Sequence, residues 1–306
     1  YHLLDQIWKP AVEAAERELD DIRMMMRKDG IKGEPKPWDY MYYLDKAKQE
    51  KFNISEAEVS QYLEINNVIQ GIFWTANKLY GLSFRERTED YPQYHKQQQS
   101  WDVIDKKGNL IAIFYSDYYP RDGKGAGAWC GRFRPQSYDG AMRVQPIVTN
   151  VCNMTLPTEE GGPALQTVDN VLTMFHEFGH ALHSFFRDVQ YEGTGGVERD
   201  FVELPSQINE HWAFEPEVLR QYARHYRTGE VIPQELVEKI DASSKYGQGF
   251  ATVEYLAASY VDLDLHYLTE MPKKLDVMKF QAEKMLKRGM PSQILPRYSV
   301  TNFSHT

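Results

Sequence analysis

Cysteine is nearly absent from this chain: Cys130 and Cys152 are its two thiols in 306 residues. Two cysteines make no disulfide framework, and no closely spaced thiols offer a cysteine-based metal site. Both sit in apolar, strand-like surroundings and read as buried free thiols. No apolar run approaches the ~20 residues that a membrane-spanning helix needs, so no membrane insertion is expected. A basic excess is missing too. Net charge is −9, and phosphate binding needs a basic face, so no nucleic-acid partner is expected. What remains, at 42% hydrophobic residues, suits a soluble chain with a sizeable core.

What is present is His176-Glu177-Phe178-Gly179-His180. Residues four apart on a helix lie nearly above one another, so His176 and His180 can aim two imidazoles at one metal ion. Glu177 lies about 100° round the helix, within reach of a water on that ion. Two ligands and one base are what metal-assisted hydrolysis needs. The pattern arises by chance in roughly two such chains in a hundred. The alternative is a buried helix whose histidines are satisfied by hydrogen bonds. The surroundings favour metal. Val168 to Phe185 reads as one helix, with Val171, Met174, Phe178, Ala181, Leu182 and Phe185 opposite the histidines. Gly179 costs about 1 kcal/mol inside a helix relative to Ala, so a close approach by another chain or a ligand is expected there.

A catalytic zinc takes three protein ligands and one open position. His183 shares the histidine face, but seven residues from His176 is about 10.5 Å of rise, too far to grip the same ion. It reads instead as a cleft-wall or substrate-contacting residue. Glu203, in Asp200-Phe201-Val202-Glu203-Leu204-Pro205-Ser206-Gln207, comes after the Gly193-Thr194-Gly195-Gly196 turn and is the better third ligand. It has a second reading: Asp200-x-x-Glu203 resembles a capping box, and Pro205 suits a first helical turn. Metal-bound imidazoles donate their other N–H to a carboxylate or carbonyl, and Asp200 and Glu210 are candidate acceptors.

These residues resemble the thimet oligopeptidase and peptidyl-dipeptidase family of zinc metallopeptidases, in its bacterial peptidyl-dipeptidase form. Phe114-Tyr115-Ser116-Asp117-Tyr118-Tyr119-Pro120-Arg121, Gly127-Ala128-Trp129, Gln248-Gly249-Phe250-Ala251-Thr252-Val253-Glu254-Tyr255 and Pro296-Arg297-Tyr298 extend the resemblance over nearly the whole chain. It implies one Zn2+ held by His176, His180 and Glu203, with Glu177 as general base. It implies short peptide substrates losing C-terminal dipeptides. An endo-oligopeptidase with the same metal site and a non-catalytic peptide-binding scaffold stand as alternatives. The compartment, bacterial cytoplasm or periplasm, stays open. Family members run to roughly twice this length, so the chain is expected to be part of a longer protein. They continue past a segment like Phe303-Ser304-His305 into a Gly- and Tyr-rich loop that contacts substrate. His305 is thus a candidate substrate contact, with a frayed terminal His as the other reading.

The expected fold is mainly α: a multi-helical body with a small β-sheet next to the zinc-binding helix. Residues 1–100 read as helical, 101–154 as the sheet and 155–306 as helical with the metal site, together one partial catalytic domain. Leu3 to Lys28 opens as a helix, and Ser55 with Glu58 reads as a capping box. Trp101–Asp105, Leu110–Tyr115, Ala128–Phe133 and Val144–Met154 read as strands. An extended peptide can add to an exposed sheet edge, and Gly125, Gly127 and Ala128 leave room for one. Turn formation alone also explains the glycines. Arg121 and Lys124 are candidates for holding a substrate's C-terminal carboxylate, though each more readily takes a surface role.

Overall fold

The structure, a computed structural model, describes residues 1–159, 161–270 and 274–301. In chain order the helices are α1 (His2–Lys28), α2 (Pro37–Phe52), α3 (Glu56–Ser60), α4 (Ile65–Tyr80), α5 (Val168–Phe185), α6 (Leu204–Glu210), α7 (Pro216–Tyr222), α8 (Gln234–Ser243), α9 (Gln248–His266) and α10 (Val277–Lys287). The strands are β1 (Ser83–Glu86), β2 (Gln99–Ile104), β3 (Leu110–Asp117), β4 (Trp129–Arg134), β5 (Ser137–Asp139), β6 (Met142–Val144) and β7 (Ile147–Val151). The fold is mainly α with a small mixed sheet. No helix among the described residues is long and apolar enough to cross a membrane.

The chain divides into two compact units. One joins residues 1–54 to the residues from Glu238 onward. In it α1 lies against α9, with Trp8, Leu19, Ile22, Val253 and Tyr260 in the core. The helices meet at Gly249, where a Cβ would sit 2.3 Å from the Ala15 nitrogen. Glu18 of α1 is buried there, and its carboxylate accepts the Gly249 and Phe250 N–H groups at 2.8 Å each. A helix leaves its first N–H groups unpaired, so this carboxylate satisfies two of them and meets the positive end of the helix dipole.

The second unit runs from Ser55 to Val237. Its five-stranded sheet has the order β1-β2-β3-β7-β4, with β3 and β7 parallel and the other neighbours antiparallel. β4 is therefore an edge strand. β5 and β6 pair separately. β1 falls inside the first hundred residues, where helix dominates, and extends the sheet beyond β2. Ser55 holds the N-cap position of α3, but its side chain makes no capping bond there.

α5 is clamped to the sheet by its apolar face. Phe178 packs against Phe73 of α4, Phe84 of β1 and Phe114 of β3, with ring centroids 5.6 to 6.0 Å apart. Phe185 adds a second contact to Phe114 at 5.7 Å. These edge-to-face and tilted pairs contribute beyond their buried area, about 0.5–1.5 kcal/mol each. Thr167 caps the helix by accepting the Asn170 N–H.

The loop leaving β3 is held by one buried carboxylate. Asp117 accepts two bonds from Arg121, at 2.7 and 2.8 Å, and one from Lys124 at 3.0 Å. Lys124 also donates to the Tyr119 and Cys152 carbonyls. Burial raises the Asp117 carboxyl, but the bonds from Arg121, Lys124 and Tyr94 outweigh it and hold it below the usual aspartate range. Such a group stabilises the fold above the unfolded carboxyl's range, and the contribution fades as pH falls through that range. Asp117→Asn leaves Lys124 buried without its counter-charge and is expected to cost roughly 3 kcal/mol at pH 7. Urea unfolding should show the gap between wild type and variant shrinking from pH 7 to pH 3. A gap that is absent or constant with pH would contradict this role.

Candidate functional site

The site forms where α6 crosses α5 at its histidine face. Gly179 is the crossing point: a Cβ there would stand 2.7 Å from the Pro205 carbonyl oxygen and 2.7 Å from the Ser206 Cα. The neighbour that needs the glycine is thus the backbone of α6. Asn209 locks the pair by donating to the Phe175 carbonyl at 2.7 Å. Glu203 stands at the N-cap position of α6, yet its side chain caps no backbone N–H, and Pro205 lies in the first turn.

The carboxylate of Glu203 goes to the histidines instead. Its Oε2 lies 3.1 Å from His176 Nε2 and 3.1 Å from His180 Nε2. One donor atom from each of the three residues falls within a span of 4.8 Å. For zinc–ligand bonds of about 2.0–2.1 Å, the corners of a tetrahedron lie about 3.3 Å apart. Two of the three separations therefore match tetrahedron edges, and the donor set of two imidazoles and a carboxylate suits zinc. Ser206 Oγ sits 2.8 Å from Glu203 Oε2 and holds it in place. His176 Nδ1 donates to Glu210 Oε1 at 2.5 Å, which leaves Nε2 free to face the shared point.

Glu177 is 5% exposed, and its Oε2 is buried with no hydrogen-bond partner among the described residues. Burial pushes its carboxyl up to about 7, with His176 opposing and Glu203 adding to the rise. The bond from Glu210 raises His176, while burial lowers His180. Burial, followed by the charges of Arg132 and Arg187, lowers His183.

These groups line a cleft of about 720 Å³. His183 and Ala128 are in its wall; Gly127 is not, although it adjoins Ala128 with a positive φ of 83°. Asp200 sits on the exposed turn before α6 and makes no hydrogen bond to either imidazole among the described residues. His305 lies outside the described residues. Cys130 is half-buried rather than buried and also lines the cleft; burial, then the Glu177 charge, pushes its thiol up to about 12. Arg121 and Lys124 both pair with Asp117, and the Lys124 side chain is 5% exposed. The cleft also contains Arg132 and Arg187, which the sequence does not single out. Arg132 alternates with Cys130 along β4, a signal visible only once β4 is known to be the edge strand.

The chain as a whole matches the model of peptidase family M3 over residues 1–306, and it belongs to that family. Among its relatives, the dipeptidyl carboxypeptidase of Escherichia coli is 39% identical over 99% of this chain and 45% of its own length. Oligopeptidase A of the same organism is 33% identical over 99% of this chain and 45% of its own. Saccharolysin of Saccharomyces cerevisiae is 31% identical over 75% and 33%. The chain thus spans less than half the length of these curated relatives. The resemblance to the oligopeptidase and peptidyl-dipeptidase family is borne out.

Two substitutions test the crossing. Gly179→Ala changes no donor atom but must push α6 from α5; metal affinity should fall at least tenfold. Glu210→Gln removes the charge behind His176 and should weaken metal binding by about 10–100-fold. Competition with a chromophoric chelator measures both. Unchanged affinity in Gly179→Ala would show that the α5–α6 spacing does not set the site.

Proposed function

We propose that this chain carries the catalytic centre for zinc-dependent hydrolysis of short peptides. The observation that carries the reading is the convergence of His176, His180 and Glu203 on one point, with the buried, unpartnered Glu177 carboxylate beside it. The first three would hold one zinc ion. Bound there, zinc supplies Lewis-acid polarisation of the scissile carbonyl and of the attacking water.

The remaining work falls to the chain's own residues. Glu177 accepts a proton from the attacking water and then delivers it to the leaving amine. A carboxyl held near neutral by burial is suited to both transfers, because the best acid–base catalyst titrates near the working pH. Glu210 fixes the His176 ring, and Ser206 fixes Glu203. The edge strand β4 borders the cleft, where an extended peptide can add to the sheet through main-chain bonds and so be held with little regard to sequence.

Release of C-terminal dipeptides is the mode that the 39%-identical dipeptidyl carboxypeptidase favours. Internal cleavage is the second reading, supported by oligopeptidase A at 33%. Purified chain should bind one zinc, and cleavage of a quenched peptide should stop on chelation and return with zinc. Glu177→Gln should keep the zinc and lose about 10²–10⁴-fold in turnover. A folded chain that takes up no zinc, or a Glu177→Gln variant with undiminished cleavage, would contradict the proposal.

A further inference from the structure

Two cations, Arg132 and Arg187, share the cleft wall. Cys130 and Arg132 lie on the same face of β4, because alternate strand residues do, and both line the cleft. Arg187 comes two residues after α5 ends and lines it as well. The Arg187 guanidinium packs against Gly195, where a Cβ would stand 1.7 Å from its Nε. Its Nη2 donates to the Glu192 carbonyl at 3.2 Å, while Nε is buried and unpartnered. Arg132 Nη1 donates to Ser184 Oγ at 3.3 Å. Neither arginine forms an ion pair among the described residues. Asp188, on the same wall, accepts the Tyr138 hydroxyl at 2.8 Å.

The two guanidiniums feel each other. Burial first, then the Arg132 charge, lowers Arg187, with Glu192 opposing less strongly. Like charges held this way in a chain of net charge −9 run against the overall balance. An anion between them would relieve the repulsion and accept charge-assisted hydrogen bonds from the guanidiniums. Along α5, Phe185 is five residues beyond His180, about 7.5 Å of rise. An extended peptide covers that distance in two to three residues.

We propose that Arg132 and Arg187 form a carboxylate-binding subsite in the cleft wall, which selects peptides carrying a carboxylate a few residues from the bond that is cut. The inference rests on the peptidase reading for its substrate, but the subsite itself does not need the metal. The carboxylate has two sources: the peptide's own C-terminus, or an Asp or Glu side chain.

The test is calorimetric binding at low salt, on zinc-loaded chain and on chelated, metal-free chain. The probes are N-acetyl-Ala-Ala as free acid and as amide, and N-acetyl-Ala-Glu-amide against N-acetyl-Ala-Gln-amide. The free acid, the Glu peptide or both should bind about tenfold tighter than the neutral partner, with or without zinc, as a charge-assisted contact predicts. Arg132→Gln and Arg187→Gln should each reduce that preference to within about twofold. Arg132 is exposed, so its variant remains informative if Arg187→Gln does not fold. A preference for the free acid assigns the C-terminus; a preference for Glu over Gln assigns the side chain. Equal affinity for charged and neutral probes would overturn the subsite. So would a preference that survives Arg132→Gln, or one seen with zinc alone, which would place the carboxylate on the metal. Failure of zinc uptake with an intact, Arg132-dependent preference would sink the peptidase reading and leave the subsite standing.

Discussion

The approach of α6 to α5 is the constraint on which the rest of the site depends. Two imidazoles one helical turn apart follow from a single helix, but the third donor has to arrive from elsewhere. It arrives because Gly179 has no side chain to keep the α6 backbone away. Asn209 then ties α6 to a carbonyl of α5, and Glu203, at the start of α6, falls beside both Nε2 atoms. The intrinsic cost of a mid-helix glycine is about 1 kcal/mol, small against the loss of a metal ligand. The aromatic cluster on the opposite face of α5 gives that crossing a rigid floor.

Charge placement in the cleft runs against ordinary stability. Among the described residues, Glu177 Oε2 is buried without a hydrogen-bond partner, and two arginines line the same cleft without an ion pair. Buried polar groups are nearly always paired, so unpaired ones need an explanation. Away from the cleft, two buried carboxylates show ordinary pairing: Glu18 takes two helix N–H groups, and Asp117 is bonded by Arg121, Lys124 and Tyr94. Two unpaired atoms, Glu177 Oε2 and Arg187 Nε, belong to residues of the cleft at the proposed metal centre, where perturbed groups serve reactions rather than folding.

Local signals were legible in the sequence and long-range ones were not. The apolar stripe of α5 marks Val168 to Phe185, and both helix ends match the structure. The strand at Leu110 shows by its β-branched and aromatic residues, and the one at Ala128 by Trp129 and Phe133. Strand order does not show, because it depends on pairings between distant segments: β7 inserts between β3 and β4 and pushes β4 to the edge. Without that order, Arg132 is one more surface charge. Gly179 announces a close approach but not its partner. Arg121 and Lys124 read as surface cations or holders of a substrate carboxylate, because their shared partner, Asp117, stands out only when burial is known.

The central claim is that one zinc ion is held by two imidazoles and one carboxylate brought together across the α5–α6 crossing. X-ray absorption at the zinc edge of the loaded chain tests it most directly. The account predicts a shell of nitrogen and oxygen at about 2.0–2.1 Å, with imidazole scattering from two rings and no sulfur. A sulfur shell at about 2.3 Å would move the metal to Cys130 and contradict the assignment. So would a single-imidazole shell, which would mean that His176 and His180 do not share the ion.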